Sequence, residues 1–227
     1  KMHFVDALPK NPRTGKDWNG WHYILAVDLG FNDNCSYTVW ACHWNVPDSY
    51  CVMSFKPPSG QDFTETSKVI KKLKSDFPFS KIVVDGANKQ GVEEMKKRLG
   101  LPELESAEKK GKATYLRLLS DEVISGKAKF LKGSTAPLEE EWKSLQWKDS
   151  DKEEEDPRCQ NHCSDSALYG WRETFALRAD EEFKPPKETD EGYEKYLEDK
   201  DVQSALEELD QSEEIYGTSE TDYFEVG

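Results

Sequence analysis

Three aspartates stand where predicted secondary-structure elements begin or end. Asp28 and Asp85 each close an apolar, strand-like run, and Asp165 lies at the start of a helical pattern. Taken singly, each residue suits a turn or the first turn of a helix, where Asp is common. A carboxylate at the end of a buried strand is nevertheless costly in its charged form unless a cation meets it. The three acids together therefore predict a cation site.

The spacing of these acids predicts the chemistry of that site. If the strands that end at Asp28 and Asp85 are parallel neighbours, both side chains lie at strand carboxyl ends, and a helix across that edge brings in Asp165. Three carboxylates this close repel one another unless cations lie between them, and hard divalent ions with oxygen ligands fit best. We therefore predict two Mg²⁺ or Mn²⁺ ions held by Asp28, Asp85 and Asp165 as catalytic residues. Two such ions suit phosphodiester hydrolysis.

Two further residues are candidates near this site. Asp33 follows Asp28 in the same turn region and is a possible metal ligand, although an aspartate in a loop more often stabilises a turn. His162 precedes the last helical pattern and is a candidate general base or a donor that supports a ligand; caps and packing are the alternative roles. Cys159 and Cys163 flank His162, but the spacing is poor and no second pair completes a zinc site.

Basic residues are the candidates for contact with nucleic acid. The chain has a formal net charge of −14, but residues 181–227 hold 17 acidic and 4 basic residues, so the remainder is nearly neutral. A neutral body with basic clusters is compatible with a nucleic-acid partner. Solvated loops are the alternative. The bases that we predict to contact phosphates without reading sequence are Lys89, Lys109, Lys110 and Lys112.

The elements that must position these residues alternate along the chain. Strands are predicted over residues 23–30, 36–44 and 50–55, with a turn at 46–49, which makes an antiparallel meander. A fourth strand is predicted over 81–85, and short extended pieces over 101–104 and 130–131. Helical periodicity covers residues 61–75, 92–99, 113–125, 137–147 and 164–178. The expected class is α/β, with a mixed central sheet, an antiparallel three-strand meander followed by parallel strands, and helices on both faces.

Four segments in this order resemble a known superfamily. They are Ile-Leu-Ala-Val-Asp-Leu-Gly at 24–30, Ile-Val-Val-Asp-Gly at 82–86, the segment 110–130, and Asn-His-Cys-Ser-Asp-Ser-Ala-Leu-Tyr-Gly at 161–170. The chain resembles the RNase H-like (retroviral integrase) nucleases, and more specifically the C-terminal nuclease domain of the large terminase subunit of tailed double-stranded DNA phages. Asn161 stands where many relatives carry an acid, and Ser166 replaces their alanine.

The resemblance implies a metal-dependent endonuclease that cuts concatemeric viral DNA during genome packaging, in the cytoplasm of the infected bacterial host. It implies double-stranded DNA as a partner, together with the small terminase subunit and the portal or procapsid. Two alternatives stay open. One is another RNase H-like nuclease, such as a junction resolvase or a transposase, and the other is a binding or scaffolding module of the same fold that does not cut.

Three regions are expected. Residues 1–21, rich in Pro and Gly, predict a linker from an upstream segment. The resemblance implies that this segment is an ATPase domain of the same polypeptide, and the lack of a phosphate-binding loop in residues 1–227 agrees with that expectation. Residues 22–180 form the nuclease domain. Residues 181–227 form an acidic tail, which solvates the protein, mediates assembly or competes with DNA.

No membrane partner or secretion is expected, because the apolar runs are strand-sized and no signal-peptide pattern is seen. The odd number of cysteines, five, suits a reducing compartment.

Overall fold

One mixed sheet organises the protein. The computed structural model describes residues 2–30, 35–58, 60–85, 89–148 and 155–180, and within them the sheet has seven strands. In chain order these are β1 (His3–Val5), β2 (His22–Asp28), β3 (Ser36–His43), β4 (Val46–Phe55), β5 (Phe79–Val84), β6 (Leu104–Ser106) and β7 (Ala128–Leu131). The helices are α1 (Phe63–Asp76), α2 (Lys89–Lys97), α3 (Lys112–Ser125), α4 (Ala136–Ser144) and α5 (His162–Asp180).

The strand order across the sheet is β1-β7-β4-β3-β2-β5-β6. Strands β2, β3 and β4 form the predicted antiparallel meander. On one side of it β5 pairs in parallel with β2, and on the other side β7 pairs in parallel with β4. The predicted mixed α/β sheet is confirmed. Since Val27 pairs with Val84 in the β2–β5 ladder, the residues that follow them lie side by side.

Helices cover both faces of this sheet because its central strands are apolar on both sides. Side chains of a strand alternate between faces. In β3, Val39 packs in the cluster that includes Ile70 of α1 and Met95 of α2. The next residue, Trp40, packs in the cluster that includes Leu119 of α3 and Trp171 of α5. None of the described helices is long and apolar enough to cross a membrane.

The predicted turn at residues 46–49 is wrong. The turn lies at residues 44–45, and β4 already begins at Val46, which pairs with His43 of β3. Pro47 led to the prediction of a turn because proline has no N–H to donate within a sheet. A proline is nevertheless tolerated where a strand has a neighbour on one side only. Strand β7 pairs with β4 at Ser49, Tyr50 and Cys51 and does not reach Pro47.

The segment predicted as a linker contributes β1 to the sheet, where Phe4 pairs with Phe130 of β7. A strand of three residues is too short to show a periodic pattern, so the Pro and Gly content dominated the prediction. Two predicted elements differ from the structure at their ends. The extended piece predicted at 101–104 is shifted to β6, and α4 ends at Ser144 because Leu145 adopts an extended conformation.

Candidate metal centre

Asp28 and Asp85 lie together at one edge of the parallel strand pair. Asp28 is the last residue of β2, and the backbone N–H of Asp85 donates to the carbonyl oxygen of Val27 at 2.8 Å, which continues the β2–β5 pairing beyond Val84. Both side chains are largely buried. Burial raises the pKa of Asp28, and the charge of Asp85 raises it further, whereas a hydrogen bond with His162 lowers it. The two carboxylates are therefore neighbours, as their strand positions predict.

Asp165 reaches the same edge from the first turn of α5. Its backbone N–H donates to the carbonyl oxygen of Asn161 at 2.8 Å, so the helix is formed from its first turn. Burial raises the pKa of Asp165 to about 6; Lys112 lowers it, while the charges of Glu155 and Asp28 raise it. His162, three residues before Asp165 on α5, lies with its Nδ1 2.7 Å from Oδ2 of Asp28, so the start of this helix carries Asp165 to the edge where Asp28 and Asp85 lie.

Helix α5 can approach the sheet closely because residue 170 is a glycine. A Cβ atom built at Gly170 would lie 2.6 Å from Cδ1 of Trp40 and 3.2 Å from Cβ of Ala26. Contacts this short are not tolerated between packed side chains. The absent side chain at residue 170 therefore sets the height of the helix above β2 and β3, and with it the position of Asp165, five residues earlier on the same helix.

His162, predicted to support the site, contacts Asp28 directly. Its Nδ1 lies 2.7 Å from Oδ2 of Asp28. The hydroxyl of Ser36 donates to the carbonyl oxygen of His162 at 2.5 Å, and its oxygen lies 2.8 Å from Oγ of Ser166. Since Ser36 is paired with Asp28 across β2 and β3, these contacts fix the start of α5 against the strand that carries the acid.

Two of the predicted DNA-contacting lysines pair with the acids of the site. Lys109 forms an ion pair with Asp85, and Nζ of Lys112 lies 2.5 Å from Oδ1 of Asp165. Buried carboxylates need such counter-charges. Lys110 is exposed, and its carbonyl oxygen accepts a hydrogen bond from Arg172. Lys89 begins α2. Asp33 lies outside the described residues.

Glu155, which was not predicted as a site residue, also belongs to this region. Its side chain is 8% exposed, and its Oε2 lies 2.6 Å from Nζ of Lys112 and accepts a hydrogen bond from Asn161 at 2.9 Å. In the sequence it is one acid of the run at 149–156, and such runs are normally solvated. The only available signal was its short separation from Asn161 and Asp165.

Tyr169 is a second residue that the sequence did not single out. It is 4% exposed, and burial together with the charges of Asp165, Asp28 and Asp85 raises its pKa. Nζ of Lys109 lies 5.9 Å from the centre of its ring. Its signal was the four-residue spacing from Asp165, which places both residues on one side of α5. Tyr169 therefore lies beside the acids, on the side of the site that α5 forms.

The donor set suits a hard divalent cation. Carboxylate oxygens are the ligands that Mg²⁺ and Mn²⁺ prefer. The acids of this site are buried and outnumber the lysines beside them, so a divalent cation would bind there favourably. In the part of the chain that the structure describes, no three His, Cys, Asp or Glu side chains are already arranged as a metal-binding group. Lys109 and Lys112 contact the acids instead. Metal binding at this site therefore requires these ammonium groups to move.

No protein-family model matches the chain, and no curated protein matches it. Solved structures do match. The nuclease domain of the g2p large terminase of bacteriophage SPP1, solved with bound Mn, is 15% identical, with a TM-score of 0.56 over 76% of this chain and 96% of that chain. The P22 large terminase nuclease domain is 14% identical, with a TM-score of 0.55 over 78% and 91% of the two chains. This chain has the large terminase nuclease fold. The predicted RNase H-like architecture is thereby confirmed.

The same terminase nuclease fold occurs within a longer protein. The large terminase of the thermophilic bacteriophage D6E, solved in complex with ADP, matches with a TM-score of 0.58 and 14% identity. The match covers 74% of this chain and 41% of the D6E chain. This chain thus spans less than half of the length of that relative.

Proposed function

We propose that this chain is a metal-dependent DNA endonuclease that cuts concatemeric viral DNA during genome packaging. One observation carries the proposal: Asp28 and Asp85 lie side by side at the carboxyl ends of two adjacent parallel strands, and the start of α5, which carries Asp165, contacts Asp28 through His162, in a chain with the large terminase nuclease fold. The Mn bound to the SPP1 nuclease domain supports the choice of a divalent metal.

In the proposed site Asp28, Asp85 and Asp165 hold two Mg²⁺ or Mn²⁺ ions. When bound, such ions polarise the scissile phosphate and lower the pKa of an attacking water. The chain's own residues keep the carboxylates in place. His162 orients Asp28 through the contact at 2.7 Å, and one hydrogen bond from the hydroxyl of Ser36 to the carbonyl oxygen of His162 ties the start of α5 to β3. Asp33 stays a proposed additional ligand.

The lysines near the acids have a second proposed role. The ammonium groups of Lys109 and Lys112 neutralise carboxylates in the metal-free protein, and the same groups suit phosphate oxygens of DNA. Lys89 and Lys110 are proposed as further phosphate contacts. Contacts of this kind position a duplex without reading its sequence.

The partners of the whole protein follow from the same proposal. The match covers 41% of the D6E large terminase, which was solved with ADP. This supports an ATPase domain on the same polypeptide as residues 22–180. Residues 1–21 would then connect the two domains, with β1 docked on the sheet. Double-stranded DNA, the small terminase subunit and the portal or procapsid are the proposed external partners, in the cytoplasm of the bacterial host.

The first prediction tests the metal-dependent cleavage. The protein should nick and linearise supercoiled plasmid with Mn²⁺ or Mg²⁺, and EDTA should abolish this activity. Asp85→Ala should reduce cleavage to the level seen in EDTA, because it removes a carboxylate from the centre of the site. Agarose-gel assays of the cleavage rate measure both effects. Asp121→Ala, which removes an exposed carboxylate on α3, is the matched control and should cut normally.

Two outcomes would contradict this proposal in different ways. Cleavage that survives Asp85→Ala would refute the assignment of the site. A folded protein that binds DNA but shows no cleavage with either metal would favour the binding module that keeps the fold and does not cut.

A further inference from the structure

Glu155 is a buried carboxylate that the proposed three-aspartate centre does not use. Its side chain is 8% exposed. Its Oε2 meets both Lys112 and Asn161, but its Oε1, which is also buried, has no hydrogen-bond partner among the described residues. A buried, charged oxygen without a partner is costly, and such an atom usually has a function that explains it.

One lysine joins this carboxylate to the proposed metal centre. Nζ of Lys112 lies 2.6 Å from Oε2 of Glu155 and 2.5 Å from Oδ1 of Asp165. A single positive charge is thus shared by two buried carboxylates, which leaves the group negative. The position between these oxygens therefore already attracts a cation, and a hard divalent ion satisfies two carboxylates better than one ammonium group does.

The relative burial of the three side chains indicates which of them can move. The side chain of Lys112 is 36% exposed, whereas those of Glu155 and Asp165 are 8% and 16% exposed. Lysine also has a long, flexible side chain that ends in a hydrated group. Lys112 can therefore turn toward solvent while the two carboxylates stay in place.

The backbone at Glu155 and at the residue after it is held in position. Glu155 forms an antiparallel bridge with Trp147, and the N–H of Asp156 donates to the carbonyl oxygen of Gln146 at 2.8 Å. The amide of Asn161, just before α5, then holds Oε2 of Glu155. Contacts of this kind prearrange a ligand and limit the entropy that is lost when an ion binds.

We propose that Glu155 is a fourth carboxylate ligand of the metal centre, opposite Asp165 at the point that Nζ of Lys112 occupies in the metal-free protein. Lys112 leaves this point when a divalent cation binds. The inference rests on the proposed metal-dependent nuclease and adds to it a ligand from outside the three aspartates.

Isothermal titration of the whole chain with Mn²⁺, in the absence of DNA, tests this assignment. Glu155→Gln keeps the size and the hydrogen-bond acceptor but removes the charge, and it should weaken Mn²⁺ binding by at least about tenfold or remove one binding event. Glu108→Gln is the matched control, because it neutralises an exposed acid in the loop before α3. Lys112→Met should tighten Mn²⁺ binding several-fold, because it removes the competing ammonium group.

Thermal unfolding separates a ligand from a residue that only stabilises the fold. If Glu155 merely anchors Lys112 and Asn161, Glu155→Gln lowers the Tm in EDTA but leaves the Mn²⁺-induced rise in Tm unchanged, and the inference is overturned. If it is a ligand, the Mn²⁺-induced rise is smaller than in Glu108→Gln. Should Glu155→Gln fail to fold, Glu155→Asp replaces it in both measurements.

Comparison with Asp28→Asn distinguishes this inference from the proposed function. Loss of Mn²⁺ binding in Asp28→Asn together with wild-type binding in Glu155→Gln overturns the fourth ligand and leaves the proposed nuclease centre intact. Absence of Mn²⁺ binding in the wild-type chain overturns both.

Discussion

Asp165 shows how burial turns a common surface residue into one with an unusual pKa. Removal from water penalises its charged form, and the neighbouring charges of Glu155 and Asp28 add to that penalty, which Lys112 relieves in part. The resulting pKa of about 6 lies above the ordinary value of 3.8. At neutral pH the metal-free protein therefore holds this carboxylate at a cost in folding free energy, which a bound cation would offset.

The pH dependence of stability should report this cost. Below about pH 3 Asp165 is protonated in both the folded and the unfolded chain, so it carries no penalty. As the pH rises through 4 to 6 the unfolded chain loses the proton first, and the folded protein loses stability, up to about 3 kcal/mol above pH 6. Asn does not titrate, so Asp165→Asn should lack this loss. Denaturant unfolding in EDTA at pH 4 to 8 measures the difference.

Asp121→Asn is the control for that series and should follow the wild-type curve, because Asp121 is exposed on α3. Parallel curves for the wild type and Asp165→Asn would show that burial does not shift the ionisation of Asp165 as described.

At the level of single residues, the sequence was sufficient where the position in an element carried the information. Asp28 and Asp85 could be recognised because each ends an apolar strand, and the pairing of β2 with β5 then places them together. Glu155 could not be recognised, because its burial depends on contacts with Lys112 and Asn161. In a run of acids, composition alone predicts solvent exposure for every member.

At the level of elements, α5 does the most to assemble the site. It packs on the meander through Trp171 and Leu168 and carries Asp165, His162 and Tyr169 at its start. Its distance from the sheet depends on Gly170, which faces Trp40 and Ala26. Asp165 stays beside Asp28 only if that close approach is kept.

Gly170→Ala should therefore damage both stability and metal binding. The added methyl group would overlap the ring of Trp40, and overpacking of this kind costs about 1–3 kcal/mol, against a gain of up to about 1 kcal/mol in helix propensity. We expect a net loss of about 1–2 kcal/mol by denaturant unfolding. Mn²⁺ titration should also show weaker binding, because the start of α5 is displaced.

Ala176→Leu adds a larger side chain to an exposed position of the same helix and should change neither quantity beyond about 0.5 kcal/mol. Normal Mn²⁺ binding in a destabilised Gly170→Ala protein would show that the height of α5 does not control the position of Asp165.

The elements that the sequence predicted least well are those at the margins of the sheet. Tertiary pairing decides whether a short polar segment becomes a strand, as for β1 against β7, and whether a proline is accepted in a strand, as for Pro47 in β4. The central strands and the helices were predictable because their apolar periodicity is long. Their ends differ because helix and strand termini depend on local capping and pairing.

At the level of the whole molecule, the distribution of charge should affect binding to DNA. Residues 181–227, which lie outside the described residues, contain 17 acidic and 4 basic residues and so hold most of the net charge of −14. A polyanionic segment on the same chain repels DNA or competes with it for lysines. The strength of that effect depends on ionic strength, because salt screens charges beyond about 10 Å at 0.1 M.

Removal of residues 181–227 should therefore raise affinity for double-stranded DNA several-fold at low salt, with a smaller difference at 0.5 M salt. Fluorescence anisotropy with a labelled duplex measures both affinities. A full-length variant with the tail acids changed to Gln and Asn is the control, and it should match the truncated chain if charge is the cause. Equal affinities at every salt concentration would exclude competition between the tail and DNA.

The edge strand β1 has a consequence for the order in which the protein folds. Its ladder joins His3 to Lys129, whereas β2, β3 and β4 pair with close neighbours along the chain. Closing a long loop costs entropy that only three residue pairs recover, so β1 should dock after the meander has formed. The same short ladder should open first in the native state. Backbone amides of β1 would then exchange with deuterium far sooner than those of β3, so that the sheet opens at its β1 edge before its centre.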